Sequence, residues 1–160
     1  MTITISEESP LQDDVRILIS EMNAVLHTLT PPEHCYQMTA DEMAQPDTTV
    51  FVARENGDAV ACGALRRHES AIGEVKRMYT RPEWQGRAIA GHILEKIEAL
   101  ARNENIRRLV LEAGDKHPAA WRVYERGGFA RCGAVLDYPE TRFSVFYEKQ
   151  LVPQPREAGA

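Results

Sequence analysis

EVKRMYTRPEWQGRAIAGHILEKIEALA, residues 74–101, reads as a strand, a tight turn and a long helix joined by a loop of small residues. Glu74 to Thr80 has strand character and runs into the turn signal Thr80-Arg81-Pro82-Glu83. Ile89, Ile93, Ile97 and Ala101 recur at helical spacing beside Ala90, Leu94 and Leu100, which predicts a helix with one buried stripe. Between the two, Gln85-Gly86-Arg87-Ala88-Ile89-Ala90-Gly91 carries almost no bulk at Gly86, Ala88, Ala90 and Gly91. A helix start leaves several N–H groups unpaired and carries partial positive charge. Small residues let an anion approach those donors, so the junction is a candidate phosphate cradle. Arg87 could pair with a phosphate or stand as a solvated arginine. A cation on a first helical turn opposes the dipole, which favours an anion nearby.

Working outward, Thr2 to Ile5 alternates like a short first strand, and Leu11 to Leu29 carries a helical apolar stripe that Pro31-Pro32 ends. Thr39-Ala40-Asp41-Glu42 has capping-box form and predicts a short second helix. Two strands follow, Thr48 to Arg54 and Asp58 to Arg67, around the hairpin signal Asn56-Gly57. Beyond the quoted stretch come a strand at Arg107 to Leu111, a helix from Pro118 to the stop signal Gly127-Gly128, and strands at Ala130 to Val135 and Arg142 to Leu151. The order β-α-α-β-β-β-α-β-α-β-β gives an α/β chain with a mixed central sheet of about seven strands and helices on both faces. A single domain over 1–151 is expected, with 152–160 as a loose tail.

The junction resembles the acetyl-CoA signature of the GNAT N-acetyltransferase superfamily, Arg/Gln-x-x-Gly-x-Gly/Ala, with Gln85 first, Ala90 last and Ala88 where glycine is usual. A second stretch, HPAAWRVYERGGF at 117–129, resembles the family's Asn-x-x-Ala-x-x-x-Tyr-x-x-x-Gly-Phe run, with His117 in place of Asn. Together the motifs and their flanking strands cover roughly Val50 to Gln150. The strand EVKRMY and the ending from Tyr138-Pro139 to Lys149 also resemble a bacterial branch of small single-domain members. The resemblance implies a mostly antiparallel sheet splayed between its fourth and fifth strands. It also implies acetyl-CoA as co-substrate, its pantetheine arm on the backbone of Met78, Tyr79 and Thr80 and its phosphates on Gln85, Gly86, Arg87, Ala88, Ile89, Ala90 and Gly91. His117 stands where the family's Asn often touches the cofactor; a helix-start role is the alternative. The resemblance walls the acceptor site with Glu33 and His34 after the first helix and with Asp137-Tyr138-Pro139 before the last strand.

Acetyl transfer to an amine needs a neutral amine, a polarised carbonyl and a stabilised thiolate. An alkyl amine of pKa about 10.4 lies about 3.4 units above pH 7, so deprotonating it costs roughly 4.6 kcal/mol. Glu74 is the candidate base, with Glu33 the next in line; a strand-end surface carboxylate is the alternative reading of Glu74. Tyr124 is the candidate acid, against the alternative of a core tyrosine packed on Val123 and Phe129. Full transfer from an unperturbed phenol to the thiolate is uphill by about 1.5 units, roughly 2 kcal/mol, so hydrogen bonding describes the step better. Lys76, Arg77 and Arg66 could meet an acceptor carboxylate, although an exposed position is expected for at least one of them.

Composition narrows the partners. A net charge of −5 disfavours broad nucleic-acid binding. No apolar run suits a bilayer, and the N-terminus lacks the pattern of a secretory signal. Cys35, Cys62 and Cys132 are odd in number, and neither they nor the five histidines have metal-ligand spacing, so reduced thiols, a cytoplasmic setting and no metal are expected. Three functions stay open: an N-acetyltransferase for a small, amino-acid-like primary amine acting by direct attack in a ternary complex, a protein lysine or N-terminal acetyltransferase, and a non-catalytic acyl-CoA-binding regulator suggested by Ala88. A homodimer is also left open.

Overall fold

The apolar stripe of the quoted helix is buried as its spacing predicts: Ile89, Ile93, Ile97 and Ala101 are each 3% exposed or less. Burying each isoleucine contributes about 1.5–3 kcal/mol. A computed structural model of the chain describes residues 2–151; the expected tail at 152–160 lies outside them. The seven strands are β1 (Ile3–Glu7), β2 (Thr48–Glu55), β3 (Asp58–Arg67), β4 (Ile72–Thr80), β5 (Arg108–Gly114), β6 (Ala130–Cys132) and β7 (Ser144–Gln150). The helices are α1 (Asp13–Leu29), α2 (Ala40–Met43), α3 (Ile89–Asn103) and α4 (Pro118–Arg126). The capping box expected at Thr39 and Glu42 forms, with both bonds at 3.1 Å.

The strands lie in the order β1-β2-β3-β4-β5-β7-β6. All neighbours are antiparallel except β4 and β5, which run parallel. Their pairing stops after Glu74↔Val110, so β4 from Val75 to Thr80 has one free edge. The sheet is therefore splayed between its fourth and fifth strands, as the family resemblance implies.

Both faces of the sheet are covered. Val60, Leu65 and Val75 pack with Ile93, Leu94 and Ile97 of α3 and with Tyr124 of α4. Val52, Cys62 and Ala64 face α1 through Val15, Leu18 and Met22. A smaller cluster joins Val110, Val135 and Phe146. Gly63 allows α3 to press onto β3, because a Cβ there would collide with Met78 and Ile93.

Several strand ends differ from the sequence reading. β1 runs to Glu7 because all five of its residues pair with β2. β6 ends at Cys132, three residues early, where its pairing with β7 ends. β5 continues past Leu111 to Gly114, paired with β7 to the Gly114↔Ser144 register. That extension carries Glu112 into the strand, beyond the point where β4 leaves.

Candidate active site

The opening between β4 and β5 has two ends of different chemistry. At the first, β4 ends at Thr80, a 3-10 turn covers Pro82–Trp84, and the chain enters α3. Gly86 has φ +80 and Ala88, the N-cap of α3, has φ +63. Two left-handed residues make the turn that aims the first amides of α3 outward. The first bond of the helix runs from His92 N–H to Ala88 C=O at 3.1 Å, so the amides before it lie outside the helical ladder. A Cβ built at Gly86 or Gly91 would meet nothing within 4 Å, and the first turn of α3 holds no acidic residue. An open, dipole-positive helix start whose first turn carries no carboxylate of its own fits a polyphosphate.

Two expectations change here. Arg87 is bonded to the buried carboxylate of Glu55 at 2.6 Å, and the Gln85 side chain donates to the Thr80 carbonyl at 3.0 Å, so both side chains brace the turn. Ala88 differs from a glycine in conformation more than in bulk. A left-handed backbone costs an alanine about 1–2 kcal/mol relative to its ordinary conformations, a cost glycine escapes.

Along the opening, β4 at Met78, Tyr79 and Thr80 is not paired with β5; the Thr80 carbonyl is taken by Gln85, and the edge at Met78 and Tyr79 is open to pairing with an amide-bearing chain. A bulge between Cys62 and Ala64 breaks the β3–β4 register, and Arg77 opposite it has φ +57.

The second end is built from side chains. Glu74 is 2% exposed. Its Oε1 lies 2.9 Å from His68 Nε2; its Oε2 accepts from the Tyr138 hydroxyl at 2.5 Å and lies 3.5 Å from Lys76 Nζ. Lys76 also donates to the Tyr138 hydroxyl at 2.8 Å. Burial and the Glu74 charge push the Tyr138 phenol up, so it stays protonated. The alternative of a surface carboxylate at Glu74 is thus excluded. The carboxylate has two oxygens already engaged and a buried lysine as counter-ion.

Of the three cations, Arg77 is buried, Lys76 is half-buried, and Arg66, the most open of them, pairs with Asp47 at 3.3 Å. Arg77 is 7% exposed, donates to Asn23 of α1, and leaves Nε buried without a partner. Burial lowers its pKa, and among the described residues no carboxylate pairs with it. His34 stacks on Phe143 with ring centroids 4.6 Å apart, and Tyr36 meets Tyr138 edge-on at 5.1 Å. The segment after α1 and the loop before β7 therefore join over this end, with Glu33 exposed on the outside.

Tyr124 approaches from the α3 face. Its ring packs near Phe129 and Tyr147, at 6.1 and 6.0 Å, and its hydroxyl has no hydrogen-bond partner among the described residues. Burial, then the charge of Glu112, pushes its pKa up. The ring therefore packs as the core-tyrosine reading expects. His117 occupies the N-cap of α4 without a side-chain cap bond. Its ring fills the space left by Gly114, its Nε2 is buried without a partner, and burial keeps it neutral by lowering its pKa.

Sequence reasoning missed His68, Tyr36, Asn23 and Glu112. Only Glu112 had a local signal: Leu109, Leu111 and Ala113 alternate with it, a pattern that extends the strand past Leu111. Among the described residues no group of three or more His, Cys, Asp or Glu is arranged to hold a metal, and no helix is long and apolar enough to cross a membrane.

Comparison with known proteins agrees with this geometry. The acetyltransferase (GNAT) family matches residues 17–129. The chain is 39% identical over 150 residues to an IAA acetyltransferase of Azospirillum brasilense, covering 93% of this chain and 98% of that one. A Klebsiella pneumoniae structure assigned as an acyl-CoA N-acyltransferase superposes with a TM-score of 0.80 at 30% identity, over 94% of this chain and 99% of that one. A PaiA N-acetyltransferase from Thermoplasma acidophilum, solved in complex with coenzyme A, shares the fold at 15% identity, with a TM-score of 0.73 over 94% of this chain and all of that one. The chain belongs to the acetyltransferase (GNAT) family, and is an N-acetyltransferase built around a splayed β4–β5 opening.

Proposed function

We propose that the protein moves an acetyl group from acetyl-CoA to the primary amine of a small acceptor that also bears a carboxylate, an amino acid or close analogue, by direct attack in a ternary complex. Arg77 carries this reading. A buried cation without a counter-charge costs several kcal/mol. Among the described residues the Arg77 side chain has only an asparagine as partner, and it lies on the part of β4 that has left β5. An acceptor carboxylate supplies the missing charge and fixes the amine's orientation. The aromatic groups of His34, Tyr36, Tyr138 and Phe143 favour a small partner. Their packing across the acceptor end narrows the room that an extended peptide needs.

Acetyl-CoA, once bound, supplies the thioester carbonyl that the amine attacks. The amides of Gly86 to Gly91 are placed for its phosphates and the β4 edge at Met78 to Thr80 for its amide arm. Tyr124 donates a hydrogen bond to the sulfur as thiolate develops. Its raised pKa favours hydrogen bonding over full proton transfer. Glu74 positions this end: it holds Lys76, Tyr138 and His68 in one network.

A thiol-release assay with L-phenylalanine, L-tryptophan, phenethylamine and tryptamine tests the reading. The two carboxylate-bearing acceptors should be preferred by about 10–100-fold, matching a charged hydrogen bond of about 1.5–3 kcal/mol. Arg77→Met should abolish that preference. Equal rates in each pair would reject the carboxylate assignment. Acetylation of a lysine peptide alone would favour the protein-acceptor reading.

A further inference from the structure

We propose that Glu112, rather than Glu74, accepts the proton released by the acceptor ammonium; this rests on the acetyl-transfer reading above. The two carboxylates face each other across the start of the splay. Glu74 is the last residue of β4 paired with β5, opposite Val110. Glu112 lies two residues beyond Val110, on the same face of the sheet, where β4 has left. Their surroundings differ in what is free. Both Glu74 oxygens are engaged, and the carboxylate is enclosed behind Tyr138. Glu112 accepts one bond, from Ser144 Oγ to Oε2 at 2.7 Å, and its Oε1 has no hydrogen-bond partner among the described residues.

The charges around Glu112 come from every side. Lys76 and Glu74 face it from β4, Tyr124 from α4, Tyr138 from the loop before β7, and Cys35 from the segment after α1. Lys76 favours its ionised form and Glu74 opposes it, but burial dominates and pushes the Glu112 carboxyl up. A base held above the ordinary carboxylate range is better matched to an ammonium than an ordinary one. Tyr124 acts from the other face of the sheet, yet feels the Glu112 charge through the opening. Proton acceptor and thiolate donor thus reach the same gap from opposite sides.

The step balances as follows. The ammonium loses one proton to Glu112 Oε1 and becomes a neutral amine. The amine nitrogen bonds to the thioester carbon, the C–S bond breaks, and the sulfur leaves with the electron pair as thiolate. The second proton, still on the attacking nitrogen, ends on that thiolate. Glu112 returns its proton to solvent, so one proton is released per turnover.

The pH dependence of kcat/KM separates the two carboxylates. The wild type, Glu112→Gln and Glu74→Gln are each assayed with acetyl-CoA and the fastest acceptor of the four-compound panel. Rate should fall on the acid side as Glu112 protonates. Glu112→Gln should lose about 10²-fold or more near neutrality and lose that acid limb. Glu74→Gln should keep the limb. An acid limb retained in Glu112→Gln, or abolished in Glu74→Gln alone, overturns the assignment. A second readout does not depend on turnover. In carbon-13 carboxyl spectra, the resonance missing from Glu112→Gln should titrate above the ordinary glutamate value of about 4.3. Titration at or below that value also overturns the proposal. Failure of the wild type on all four acceptors would count instead against the amino-acid reading, leaving the spectral titration to judge Glu112.

Discussion

The two ends of the β4–β5 opening solve opposite problems. In the proposed reading the α3 end takes a polyanion on backbone, with Gly86, Ala88 and Gly91 keeping side chains out of the way. The proposed acceptor end offers a smaller partner charged and polar side chains drawn from β4, β5, β7, α1, the loop before β7 and the turn before β4. Backbone recognition needs only a local turn and tolerates variation in side chains. Charged recognition inside a protein requires that each group be compensated, which ties distant segments into one network. The difference predicts that the acceptor end is costly to disturb in the fold itself, whereas the cofactor end is costly only in binding.

The largest expected effect breaks the acceptor network. Glu74→Ala leaves Lys76 buried without its carboxylate, and loss of one partner of a buried pair costs about 3–5 kcal/mol. Chemical denaturation should show that loss, with Glu74→Gln milder because the amide retains polar contacts. A loss below about 1 kcal/mol, the size of an exposed ion pair, would mean that the network is solvent-screened.

Tyr124→Phe probes the place where the two ends meet. Removing a hydroxyl that has no hydrogen-bond partner among the described residues should leave stability nearly intact while turnover falls about 10–10³-fold, or about 1.4–4 kcal/mol. Acetyl-CoA affinity should hardly move, since a neutral thioester sulfur is a poor acceptor. A large drop in melting temperature with full turnover would instead assign the hydroxyl to the core.

Gly86→Glu sharpens the comparison from the cofactor side. A Cβ there meets nothing, but φ +80 strains any side chain, and the added charge opposes phosphate. Helix-start contacts contribute about 0.3–1 kcal/mol each, up to about 2 when partly buried, so acetyl-CoA affinity should fall roughly tenfold. Calorimetry measures it directly. Unchanged affinity would remove the cradle from this junction.

The sequence by itself determined the order of elements, the buried stripe of α3, the capping box at Thr39 and the small-residue junction. Each rests on periodicity or short-range backbone chemistry contained within a few residues. It also singled out Glu74, Arg77, Tyr124 and Tyr138, but not how they are held. Whether Arg77 faces water or the interior depends on α1, whose Asn23 lies 54 residues from the arginine it touches, and Lys76 is held by Tyr138, 62 residues away. Glu112 entered the site only because β7 pairs with β5 to its last residue while β4 does not. Likewise, nothing local foretold that Arg87 would pair with Glu55, 32 residues away. A buried charge takes its meaning from its partners, and those partners come together only when the sheet closes on both faces and opens at one seam.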